Sequence, residues 1–194
     1  MKLQHFFLLN LAAFVAAASS QSTVYLIRHG EKPDNGNGLN AEGQQRAQCL
    51  RSAFGASSPY NIGHIMAQTP KSGMSFIFST GYRVSFVPID RQHGSRQRPY
   101  DTVAPLSSDL GLTVDISCDR DDPGCVKDVV DGYQGNGNIL ICWEHDALHD
   151  IVKKLGDSDA PDYPDDSFNL IWTDPYPYSQ IASTTSEDCP GLDD

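Results

Sequence analysis

Two short apolar runs, each handing a histidine to a polar turn, constrain this chain more than anything else in it. The first, Thr23-Val24-Tyr25-Leu26-Ile27, delivers Arg28, His29 and Gly30; the second, Leu140-Ile141-Cys142-Trp143, delivers Glu144 and His145. Unbroken apolar runs of this length, bounded by turn residues, fit strands buried on both faces. The chain around them alternates. A helix is expected over 41–54, with Asn40 as its N-cap and Gly55 closing it, followed by a strand over 62–67. A second helix spans 99–110, with proline in its first turn and Gly111 just beyond its end, and leads to a strand over 112–116. A helix over 126–133, the strand 139–143, a helix over 146–155 stopped by Gly156 and a strand over 168–173 complete the order. Such alternation predicts an α/β three-layer sandwich with a mainly parallel central sheet. Ligands of such sheets bind beyond the carboxyl ends of the strands, where His29 and His145 both fall.

The residues at those strand ends suit phosphoryl chemistry. A guanidinium grips a phosphate through a two-pronged fork, and a neighbouring imidazole can attack phosphorus. Arg98 and Thr102 add an Arg-x-x-x-Thr pattern at the start of a helix, and residues 39–47 read Leu-x-x-x-Gly-x-x-x-Ala. Strand-Arg-His-Gly, then that helix, then Arg-x-x-x-Thr, then strand-His, in this chain order, resembles the histidine phosphatase (phosphoglycerate mutase-like) superfamily over roughly residues 23–151. The resemblance implies a phosphoglycerate-mutase-like fold and a phosphohistidine intermediate on His29. It implies that Arg28 and Arg98 clamp the phosphoryl oxygens and that His145 stabilises their charge.

The proton donor to the leaving group stays open at this level. Asp146 directly follows the second histidine, as in one branch of the superfamily, and is the first choice. Glu144 precedes it and is the second, since neighbours along a strand end point to opposite sides. The acidic turn 119–122 is a third. Arg96 and His149 read as exposed side chains, Thr102 as a supporting hydrogen bonder, and Glu31 and Lys32 as either rim or solvated residues. No His-Glu-x-x-His or similar metal spacing occurs, and neither a metal nor another cofactor is expected. The resulting expectation is an exported, metal-independent phosphomonoester hydrolase for a small phosphorylated substrate. The alternative is a secreted, non-catalytic phosphate- or ligand-binding protein that keeps the fold.

The remaining composition sets the surroundings. A net charge of −11 disfavours nucleic acid and anionic membranes as partners, so clustered basic residues stand out. Residues 1–20 combine Lys2, an apolar core and small residues before the cut, the pattern of an export signal too short to span a membrane. The phosphatase-like domain should then occupy 21–175 and an irregular tail 176–194, with the aspartates of 157–166 in a solvated loop. Five cysteines in an exported chain suggest disulfides with one left over. Cys118 pairs naturally with Cys125 across the acidic turn, Cys49 with Cys189, and Cys142 stays a buried thiol. The stretch 73–93 is apolar and aromatic, unlike its polar flanks. It reads either as an added hairpin or lid, or as an unspliced intron translated in frame. The second is favoured because an exposed apolar insertion is an aggregation liability.

Overall fold

The computed structural model describes residues 21–71 and 96–193. The leader 1–20 and the stretch 73–93 lie outside the described residues. Ten elements follow in order: β1 (Val24–Arg28), α1 (Ala41–Ala53), β2 (Ile62–Ala67), α2 (Arg98–Leu110), β3 (Val114–Asp115), α3 (Pro123–Gly132), β4 (Asn138–Trp143), α4 (His145–Leu155), β5 (Leu170–Asp174) and β6 (Ser183–Ser186). The strands form one sheet in the order β3-β2-β4-β1-β5-β6. β3, β2, β4 and β1 run parallel, while β5 is antiparallel to β1 and β6 to β5.

Successive side chains on a strand point to opposite faces, and the two central strands show the result. Val24 and Leu26 of β1, with Ile139, Ile141 and Trp143 of β4, pack under α3 and α4. Ile27 of β1, with Leu140 and Cys142 of β4, packs under Leu50 of α1 and Val103 and Leu106 of α2. Both strands need apolar residues at every position because both faces are covered. The expected mainly parallel three-layer sandwich is therefore observed.

The helix ends follow local chemistry. Asn40 Oδ1 accepts the Gly43 N–H at 2.8 Å, and Gly111 closes α2 in the left-handed conformation at φ 64°. Gly43 permits a close approach, since a Cβ there would sit 2.4 Å from the Glu31 carbonyl oxygen. α1 can thus lie directly against the Gly30–Glu31 turn.

Both expected disulfides form, Cys49–Cys189 and Cys118–Cys125, and Cys142 is buried and free. Two expectations need correction. The 112–116 strand shrinks to Val114–Asp115 at the sheet edge. The segment 176–194 is not irregular throughout, because β6 pairs with β5 through Ser183–Ser186. Its side chains are polar and mostly exposed, so no hydrophobic alternation marks it in the sequence. No helix among the described residues is long and apolar enough to cross a membrane.

Candidate active site

A cleft of about 250 Å³ opens beyond the carboxyl ends of the parallel strands. It is lined by His29, Gln68, Arg96, Arg98, Pro99, Arg120 and Glu144. His29 follows the last residue of β1, and its amide donates to the Trp143 carbonyl at 3.0 Å, which continues the β1–β4 ladder by one residue. Its ring is 2% exposed. Nδ1 lies 2.7 Å from the Gly30 carbonyl oxygen. A carbonyl can only accept, so Nδ1 carries the proton and Nε2 keeps its lone pair. Burial pushes the imidazole pKa down to about 3 against the opposing Gly30 bond, and the charges of Arg28, Arg98 and His145 push the same way. His29 is a neutral, tautomerically fixed imidazole at any physiological pH.

Thr102 sets that peptide. The Gly30 N–H donates to Thr102 Oγ1 at 2.9 Å, and the Thr102 hydroxyl donates to the Arg98 carbonyl oxygen at 2.8 Å. One fully buried hydroxyl therefore joins the histidine turn to the first turn of α2, and so registers Arg98 against His29. The Arg98 side chain reaches across to the β1–α1 loop, where Nε donates to the Gly38 carbonyl and Nη2 to that of Gly36.

Arg28 is more enclosed than its expected role suggests. Its Nη1 donates to the carbonyl oxygens of Asp165 at 2.7 Å and Ser167 at 2.8 Å, and the guanidinium lies 3.8 Å over the Phe168 ring. Its Nε is buried with no acceptor among the described residues, and Arg28 is not one of the residues that line the cleft. His145 opens α4 with acids on both sides. Its Nε2 stands 3.1 Å from Asp165 Oδ1 and 3.2 Å from Asp146 Oδ1, and its Nδ1 stands 3.1 Å from Glu144 Oε1.

The two candidate acids separate. Glu144 caps β4 and lines the cleft, its amide donating to Gln68 Oε1 at 3.2 Å. Asp146 sits in the first turn of α4 with its side chain 64% exposed and outside the cleft lining. From the third candidate region, 119–122, it is not an aspartate but Arg120 that enters. Arg120 Nε and Nη2 donate to Glu144 Oε2 at 3.1 and 2.6 Å. Sequence reasoning missed Arg120, which is masked by the acids around it. It also missed Gln68, and Asp165 in the loop read as solvated. Arg96, read as an exposed side chain, lines the cleft.

Among the described residues, two groups offer metal-ligand geometry. The donor atoms of Glu144, His145 and Asp146 lie within 4.8 Å of one another, as do those of Glu187, Cys189 and Asp193. Neither fits an ion well. Glu144 is occupied by Arg120, while Cys189 is in a disulfide and Glu187 and Asp193 are both bound to Arg46.

No family model matches the sequence, and no curated protein sequence matches it. Solved structures do. The protein histidine phosphatase SixA complexed with tungstate superposes with a TM-score of 0.53 at 13% identity, covering 85% of this chain and 97% of that one. A chain assigned as the phosphohistidine phosphatase SixA from Agrobacterium tumefaciens gives 0.53 at 10% identity, covering 86% and 98%. The chain thus has the phosphoglycerate-mutase-like fold seen in these phosphatases.

Proposed function

We propose that this protein is a phosphomonoester hydrolase that passes through a phosphohistidine on His29, and that it is exported and needs no metal. The observation that carries the reading is the His29 imidazole, proton-fixed on Nδ1 by Gly30 and held neutral in a cleft lined by three arginines. A neutral imidazole can attack a phosphorus centre, and its burial costs nothing in unpaired charge. Arg98 and Arg28 would neutralise the transferring group, and His145, flanked by acids, would support it. Water then hydrolyses the phosphoenzyme. The SixA structure that holds tungstate supports the reading, since tungstate is a tetrahedral oxyanion like phosphate. For the leaving-group proton, the position of Glu144 in the cleft favours it over Asp146.

The test is phosphate release from p-nitrophenyl phosphate in the presence of a chelator. Turnover should persist, and His29→Ala should lower it by roughly 10³ or more. Acid-labile labelling of the wild type, absent in that variant, would identify the intermediate. Glu144→Gln should slow alkyl esters far more than the nitrophenyl ester, whose leaving group needs no proton. Phosphate binding without turnover would instead support the non-catalytic alternative.

A further inference from the structure

The cleft holds more positive charge than a single phosphoryl group requires. Arg98 lines the cleft and Arg28, outside its lining, is the second expected clamp for one tetrahedral dianion, yet Arg96 and Arg120 line the cleft as well in a chain of net charge −11. Among the seven lining residues there are three arginines and one acid. Both additional arginines come from unusual backbone. Arg96 adopts a left-handed φ of 64°, which a residue with a side chain seldom takes up without a constraint. Arg120 sits inside the loop closed by Cys118–Cys125, and its carbonyl oxygen accepts the Trp143 indole N–H at 3.1 Å. The disulfide loop and that main-chain bond hold Arg120 beside β4.

We infer that the cleft selects phosphorylated substrates whose leaving group carries a second negative charge, a carboxylate or another phosphate, which docks on Arg120 and Arg96. The inference rests on the phosphatase reading for the location of the phosphoryl group. Each guanidinium presents five N–H donors in a plane. Arg120 uses some on Glu144 Oε2 and Asp121, and Arg96 uses two on Asp119 Oδ1 at 3.3 Å and Asp121 Oδ2 at 2.9 Å. Asp119 and Asp121 are over half exposed, so their pairs are solvent-screened and exchange readily for a ligand anion. Arg120 and Arg96 are each about three-quarters covered, which keeps their charge directed inward.

Binding can be read apart from turnover with phosphonates, which are not hydrolysed. Calorimetry on the full chain would compare phenylphosphonate, 3-carboxyphenylphosphonate and benzene-1,3-diphosphonate. The two ligands with a second anionic group should bind about tenfold more tightly than phenylphosphonate, and the stronger of the two identifies the second group. Arg120→Met should reduce that preference below about twofold, and Arg96→Met by about threefold. The Arg96 variant carries the test where Arg120→Met fails to fold. Equal affinity for all three ligands in the wild type, or a preference that both variants retain, overturns the inference. A wild type that discriminates among phosphonates without releasing phosphate from any ester would sink the hydrolase reading alone. Turnover of p-nitrophenyl phosphate with no discrimination would sink this inference alone.

Discussion

The two disulfides fasten regions of opposite character. Cys118–Cys125 spans seven residues and closes an exposed loop whose ion pairs, Arg96 with Asp119 and Asp121 and Arg120 with Asp121, face solvent beside the cleft. Cys49–Cys189 spans 140 residues and pins the C-terminal segment to α1, next to ion pairs that are almost wholly buried. There Arg46 binds Glu31 at 2.6 Å, Glu187 at 2.7 Å and Asp193 at 2.9 Å. Exposed pairs contribute little and can be traded for a ligand, whereas a buried pair that loses one member leaves an uncompensated charge. The comparison separates a surface that recognises from a clasp that holds. Charge density alone does not mark a functional site, since the clasp is the denser of the two.

The largest expected effect comes from cutting the long bridge. Replacing Cys49 and Cys189 by alanine should cost about 5 kcal/mol by chain entropy, and replacing Cys118 and Cys125 about 2.5 kcal/mol. Thermal melts would check both. If the comparison holds, the smaller loss should bring the larger change in KM, because only the short loop carries a cleft arginine. Equal changes in KM would erase the distinction.

An intermediate effect should follow from Thr102→Val. The variant keeps the side-chain volume but orphans the buried Gly30 N–H, a loss of about 1–3 kcal/mol in denaturant melts. It should also lower kcat more than it raises KM, because it loosens the peptide whose carbonyl fixes the His29 tautomer. A stability loss with unchanged kcat would show that Thr102 merely packs.

A further effect lies in the pH dependence of stability. Burial raises the Asp174 carboxyl, which has no hydrogen-bond partner for either oxygen among the described residues, to about 7. Between the unfolded and folded values, the folded protein holds a proton that the unfolded chain releases. This group therefore favours folding fully below about pH 4, and that contribution is lost as pH rises through about 7. Urea melts across this range should show the decline, and Asp174→Asn should flatten it. A wild-type curve parallel to that of the variant would mean that Asp174 titrates normally.

Much of the site was legible because its parts are local in the chain. The apolar run before Arg28 and His29, the Asn40 cap and Gly111 each act within a few residues, where strand and helix periodicities leave a visible trace. The pairing Cys49–Cys189 could be reached because Cys142 sits in an apolar strand. The clasp left no such trace. Arg46 meets Glu187 and Asp193 across some 140 residues, and nothing periodic links an arginine on α1 to acids in a tail. Arg120 was hidden for a different reason. In Asp119-Arg120-Asp121-Asp122 it reads as one cation among acids, and only folding brings Glu144 to it beside its neighbour Asp121. Asp165 was hidden likewise, since its main-chain oxygen, on which Arg28 rests, has no residue-specific signature. Contacts made by backbone atoms are invisible in a string of side chains.

The clasp also couples the His29 turn to a distant stretch of the chain. Glu31 follows directly on the Gly30 turn that orients His29, and its carboxylate is gripped by the same guanidinium that Asp193 helps hold. Loss of the Asp193 carboxylate would unsettle that turn without touching a residue of the cleft.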